Sequence, residues 1–244
     1  MTDRFVAAMP LGRWQTNCYL VGDRDRGTGV VVDPGEGGEQ EVPRLLERTG
    51  VRCEAILLTH GHLDHLWAVP SLAGELDVPV LLHRGDRWLW DDPAAGLGMP
   101  PELLVELGLP GWDPPSDRLE EVRDGQQLSY AGIRFTVQHN PGHTPGHVTY
   151  LGRELGGVPV EFVLGQYDRA SDDVLFSGDL VFAGSIGRTD FPRGSTDDIM
   201  RSLAETVLPL EDDTLILSGH GPDTTVGRER ATNPFLREAV ARHA

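Results

Sequence analysis

Three imidazoles and a carboxylate, His60, His62, Asp64 and His65, fall within the stretch Thr59-His60-Gly61-His62-Leu63-Asp64-His65. Donors of these types hold divalent metal ions at neutral pH. The stretch follows the apolar run Ala55-Ile56-Leu57-Leu58, so a buried strand delivers the cluster into a loop. His60 and His62, two apart on extended backbone, point to the same side. Asp64 and His65 open a predicted helix carrying Leu66, Trp67 and Val69 and can face a second ion, so the spacing implies two metals. A polar helix entry with satisfied surface histidines accounts poorly for four such residues together.

Three later junctions repeat the pattern. His143 sits between Pro141-Gly142 and Pro145-Gly146, pairs that fix a tight loop and can aim one imidazole at an ion. Asp179 follows the apolar strand Val174-Leu175-Phe176, and a carboxylate there can bridge two cations with its two oxygens. Ser218-Gly219-His220-Gly221 brings a last histidine past the strand at 214–217. Open α/β layers place sites at such strand ends. His139 and His147 stand outside this set. His83, without a companion ligand beside it, reads as a capping or core-edge histidine. Asp33, before Pro34-Gly35, is either a turn former or a carboxylate reaching the metal region.

The elements that must position these groups alternate strand and helix. Short strands are expected at 5–9, 17–22 and 29–33, an antiparallel start, with a surface helix within 38–49 before the strand feeding His60. A helix near 64–74 leads to a strand at 78–83. Residues 84–117 hold Trp88, Trp90, Trp112, several prolines and the amphipathic Glu102–Leu107. That composition suits a helical excursion, which could cover a substrate as a lid or simply pack its tryptophans. Strands return at 127–130, 133–137, 148–151, 160–164 and 174–176. A helix at 196–207 and a strand at 214–217 complete an α/β pattern, expected to form a single domain over 1–244.

Composition narrows the partners. Net charge is -17, and all 21 Lys+Arg positions are arginine. An acidic surface repels a phosphate backbone, which argues against nucleic acid, and any anionic substrate must be held by arginine or metal. Cys18 and Cys53, in apolar strands or at their edges and without CxxC spacing, read as core residues rather than a disulfide. The first residues carry no basic stretch followed by a long apolar run, and no segment approaches membrane-spanning length. A soluble cytoplasmic protein with a small-molecule substrate and no membrane partner is expected; the oligomeric state stays open.

Taken together, His60-x-His62-x-Asp64-His65, His143 in Gly-His-Thr, Asp179 in Ser-Gly-Asp and His220 in Gly-His-Gly resemble the motif set of the metallo-β-lactamase-fold hydrolases. Phe182 to Asp190 and Gly227 to Leu236 are similar to the single-domain, glyoxalase II-like (YcbL-type) hydroxyacylglutathione hydrolases. The resemblance implies an αββα sandwich, two mixed sheets flanked by helices with the metals at one edge. It implies one divalent ion on His60, His62 and His143, a second on Asp64, His65 and His220, and Asp179 bridging them. Zinc is the first expectation, and iron and manganese suit the same donors. Two-domain relatives hold glutathione with a helical C-terminal domain and lysines. Only 24 residues follow His220 here, and lysine is absent.

The implied chemistry is hydrolysis of a 2-hydroxyacyl thioester such as S-lactoylglutathione. A water between ions roughly 3.5–4 Å apart would be acidified toward hydroxide, with Asp64 orienting it and the bridging Asp179 completing the catalytic set. Arg188 is the candidate contact for a substrate carboxylate, or else pairs with Asp190. The alternative of another reaction class is a persulfide dioxygenase of the same fold, with one iron on His60, His143 and Asp179. A metal-free scaffold is disfavoured because no ligand position is missing, and a ribonuclease because the charge is wrong.

Overall fold

The computed structural model describes residues 3–106, 108, 112–153, 155, 158–162 and 165–243. Two β-sheets stack face to face with helices on both outer faces, the αββα sandwich that the motifs imply. The first sheet begins with β1 (Arg4–Leu11), β2 (Thr16–Asp23), β3 (Thr28–Val32), β4 (Arg52–Leu57), β5 (Val80–His83) and β6 (Leu119–Val122). The second contains β7 (Gln127–Tyr130), β8 (Ile133–His139) and β9 (Val148–Arg153). After these, β10 (Val158–Phe162) and β11 (Gly165–Ser171) return to the first sheet, giving the order β11-β10-β1-β2-β3-β4-β5-β6. The second sheet adds β12 (Val174–Gly178), and later β15 (Leu215–Ser218) and β16 (Thr224–Thr225), in the order β16-β15-β12-β9-β8-β7. Between them in the chain, β13 (Val181–Phe182) and β14 (Ser185–Ile186) form a separate hairpin. Both large sheets are mixed: β3, β4, β5 and β6 run parallel and β1 to β3 antiparallel, while β12 is parallel to β15 and antiparallel to β9.

Side-chain alternation along the strands makes three apolar layers from two sheets. In β1, Val6 and Ala8 face the second sheet, where they join Phe135, Tyr150 and Phe176. Phe5, Ala7, Met9 and Leu11 face the opposite way, onto α1 (Gly38–Thr49) and α3 (Val69–Leu76). Leu151, Leu175 and Ile216 of the second sheet pack outward on α7 (Thr196–Ser202), the π turn Leu203–Val207, α8 (Val226–Thr232) and α9 (Pro234–His243). Phe135 and Phe176 are fully buried between the sheets, positions where truncation to alanine costs about 3–5 kcal/mol. Cys18 and Cys53 are buried and free.

Several expected elements change shape. The single helix expected at 64–74 is two, α2 (Leu63–Leu66) and α3, separated at Trp67-Ala68. Pro70 has no N–H to continue the first helix and opens the second instead. Residues 84–117 form α4 (Arg87–Asp91), α5 (Pro93–Gly96) and α6 (Glu102–Glu106), with Leu107 outside the described residues. Trp90 anchors this excursion in the core, and Trp112 donates its Nε1–H to the Trp90 carbonyl at 2.5 Å. The strand expected at 160–164 is β10, with Val163 and Leu164 outside the described residues. The polar segment Gly165–Ser171 forms β11, which no apolar alternation announces. No helix among the described residues is long and apolar enough to cross a membrane.

Candidate metal centre

The structure brings all seven expected ligand residues to one edge of the sandwich, at the ends of β4, β12 and β15 and in the loop joining β8 to β9. Ligand atoms of His60, His62 and His143 lie within 4.8 Å of one another, as do those of Asp64, His65 and His220. His62 Nδ1 stands 3.1 Å from His60 Nε2 and 2.8 Å from His143 Nε2. Asp179 lies between the groups: its Oδ2 is 3.6 Å from His143 Nε2 and 3.7 Å from His220 Nε2, while Oδ1 is 3.4 Å from His65 Nε2.

The surroundings of these imidazoles fit metal ligation. Each of four rings turns its Nδ1 outward onto an oxygen: His60 to Thr59 Oγ1 at 3.1 Å, His65 to Asp33 Oδ2 at 2.9 Å, His143 to the Arg188 carbonyl at 2.8 Å and His220 to the Trp14 carbonyl at 3.2 Å. Donation from Nδ1 leaves the Nε2 lone pair facing inward, the arrangement that outer partners impose on metal-binding histidines. Among the described residues, buried His65 Nε2 and Asp179 Oδ1 have no hydrogen-bond partner, a cost that a cation removes.

Electrostatics separates the two groups. Burial, reinforced by neighbouring imidazoles, holds His60 well below the usual histidine range and His62 at about 3. Burial also opposes charge on His65, but Asp64, Asp179 and Asp33 outweigh it and raise its pKa. Burial would raise Asp64, yet His65 and His220 bring it down to about 2, and His65, His143 and His220 lower Asp179 likewise. Ionised carboxylates therefore stand ready to balance cations.

Behind the ligands lies a scaffold that strand patterns did not reveal. Asp33 is more than a turn former: Oδ1 accepts Thr59 N–H at 2.8 Å, and Oδ2 accepts the Thr59 hydroxyl at 2.6 Å as well as the His65 ring. Asp86, fully buried, accepts from Gly61 N, Thr144 Oγ1 and Gly146 N at 3.0, 2.6 and 2.7 Å, tying the loop of His60 and His62 to the loop of His143. His147 Nε2 accepts the Asp179 amide at 3.0 Å. Thr16 Oγ1 donates to Asp64 Oδ2 at 3.0 Å, and Asn17 grips the Ser218 and Gly221 carbonyls at 2.9 Å. His83 accepts Gly85 N–H at 3.2 Å, a capping role, and stacks on His139 away from the ligands. Two glycines let backbone meet the centre: a Cβ on Gly219 would collide with the Asp179 carboxylate and the His65 ring, and one on Gly187 with the Asp179 carbonyl.

A cavity of about 440 Å³ opens onto the ligands, walled by Trp14, Leu97, Phe182, Ile186, Phe191 and Arg188. Leu97 comes from the 84–117 excursion, so part of that segment borders the cavity. Arg188 forms a two-pronged pair with Asp190 at 2.7 Å and lies 4.0 Å over the Phe191 ring, so its guanidinium is already engaged at the cavity edge.

Residues 11–155 and 162–220 match the model of the metallo-beta-lactamase superfamily. The chain is 34% identical over 232 residues to the hydroxyacylglutathione hydrolase GloC of Haemophilus influenzae, covering 95% of this chain and 97% of that protein. It is 36% identical over 231 residues to an uncharacterized protein of Mycobacterium tuberculosis, with 95% and 97% covered. Among solved structures, a B3 metallo-beta-lactamase superposes with TM-score 0.77 at 33% identity, covering 95% of this chain and 99% of that one. A protein crystallised in a di-iron-bound form superposes with TM-score 0.70 at 36% identity, covering 93% and 98%. With its ligand-rich strand ends, its αββα layers and this match over most of its length, the chain belongs to the metallo-beta-lactamase superfamily, among its metallo-hydrolases.

Proposed function

We propose that this chain hydrolyses a 2-hydroxyacyl thioester, S-lactoylglutathione or a close analogue, at a dinuclear centre. One ion would sit on His60, His62 and His143, the other on Asp64, His65 and His220, with Asp179 between them. The observation that carries the reading is the convergence of both ligand groups on Asp179 beside an open cavity. A complete second group supports two metals over a single-iron oxygenase centre, and the similarity to GloC supports the thioester. Zinc, iron and manganese all suit these donors, and the di-iron relative adds weight to iron.

When bound, the two ions supply an acidified water and stabilise charge on the attacked carbonyl oxygen. Asp64 borders the cavity with Oδ2 fixed by the Thr16 hydroxyl, and it orients the attacking water by accepting its hydrogen bond. Phe182, Ile186 and Leu97 shield the reacting centre on the cavity side. Arg188 meets a substrate carboxylate by exchanging it for Asp190. No side chain need protonate the leaving group, because a thiol of pKa about 8.5 departs readily as thiolate.

The test is disappearance of S-lactoylglutathione, followed with free-thiol release, on protein reloaded with zinc or iron and on a chelator-treated control. Thiol release that depends on metal is expected. Silence from fully metallated protein overturns the reading, and oxygen uptake with one iron per chain would replace it with the dioxygenase.

A further inference from the structure

The hairpin that carries Phe182 and Ile186 to the cavity is too short to hold its own shape. Its strands β13 and β14 have two residues each and pair with one another outside the large sheets, and an isolated hairpin is marginal in water even at greater length. Gly184, at φ 77°, supplies the left-handed position of its turn. Yet the Phe182 ring stands edge-on to His220, 6.0 Å between centroids, and both Phe182 and Ile186 wall the cavity.

What fixes the hairpin comes from the C-terminal motif Gly227 to Leu236. Glu229 is a fully buried carboxylate held by hydrogen-bond donors. Oε2 accepts Gly184 N–H at 2.7 Å and Asn233 Nδ2–H at 2.9 Å, and Oε1 accepts the Thr224 hydroxyl at 2.6 Å. Asn233, also fully buried, donates Nδ2–H to the Ser185 carbonyl at 3.0 Å and the Phe182 carbonyl at 3.4 Å. Both sides of the hairpin turn are therefore held through main-chain groups, which leaves its side chains facing the cavity. The opposite end of Asn233 does ordinary work: Oδ1 accepts Phe235 N–H at 3.0 Å and caps α9.

We propose that Glu229 and Asn233 are positioning residues of the substrate cavity, holding the β13–β14 hairpin so that Phe182 and Ile186 form a fixed wall that sets how tightly an acyl thioester binds. The assignment of the ligand rests on the thioester reading; the hairpin anchor does not. An amide at Glu229 would replace one acceptor with a donor that faces other donors, so Glu229→Gln is the stronger perturbation. Asn233→Ser is the gentler one, because serine still caps a helix but is too short to reach the hairpin carbonyls.

Hydrogen exchange over 181–187 reads the anchor without substrate. Faster exchange there in Asn233→Ser, with the large sheets unchanged, is expected. Equilibrium binding of S-(2-hydroxypropyl)glutathione, a thioether with no carbonyl to attack, should weaken about three- to tenfold, the range that a lost hydrogen bond supports. KM for S-lactoylglutathione should rise by the same factor, with kcat and metal content nearly constant. Exchange unchanged in both variants overturns the proposal, as does a fall in kcat and metal content with KM unmoved. If the unaltered, metallated protein hydrolyses no thioester, the functional reading fails by itself, and the anchor stands or falls on exchange.

Discussion

The two candidate ligand groups flank Asp179 but are built differently. His60, His62 and His143 are all buried to within 3% exposure, and Asp86 staples their two loops together from behind. In the other group His65 is buried, but the side chains of Asp64 and His220 keep 19% and 29% exposure. Its members are assembled across the fold, with Thr16 on Asp64, Asp33 on His65 and the Trp14 carbonyl on His220. The first group is the more deeply buried, made of packed loops with His62 and His143 reaching the cavity. The second is an opening whose shape depends on β2 gripping the end of β15 through Asn17 and Tyr19.

The largest effect should come from removing what the groups flank. Asp179→Ala is expected to lower kcat/KM about a thousandfold or more and to weaken metal retention in both groups; full activity would sink the thioester hydrolase reading. Next come single ligands. After dialysis, His220→Ala should retain about one ion per chain, where the unaltered protein holds about two, and a timed chelator challenge should empty the exposed group before the buried one. Equal loss from both would erase the contrast. Asp33→Asn, which leaves every ligand in place, should cost about ten- to a hundredfold in metal affinity at the His65 group, the usual effect of an outer partner. The smallest effect belongs to a histidine outside both groups. His139→Ala, losing one bond to the Pro145 carbonyl and the stack on His83, should change activity less than about twofold and stability by about 1–2 kcal/mol.

The candidate ligands were legible because they follow recognisable strands, open a helix or sit in a loop bounded by Pro-Gly pairs, and their clustering at 60–65 is hard to account for otherwise. Their supports were not. Asp86 acts on residues 25, 58 and 60 positions away, and nothing local distinguishes it from a surface aspartate in an Arg-Gly-Asp turn. Asp33 showed both readings in sequence, and only its reach to Thr59 and His65 separates them. His147 and the Arg188 carbonyl act on ligands through groups that residue type does not advertise: a backbone amide is held by the first, a ring nitrogen by the second. In the fold, alternation located the central strands, whereas the polar β11 and the break before α3 followed from pairing partners and from a proline whose weight depends on what surrounds it.

The glycines at 187 and 219 carry a consequence for how such a protein diverges. Any heritable change that adds a side chain at either position pushes against Asp179 or His65, so the centre resists drift from its neighbours as strongly as from its ligands. The cavity wall is of another kind: Leu97, Phe182, Ile186 and Phe191 sit on a hairpin, a loop and a helical excursion, and none of the four is itself a candidate ligand. New specificities in this lineage are therefore expected to arise by repainting the wall around an inherited centre.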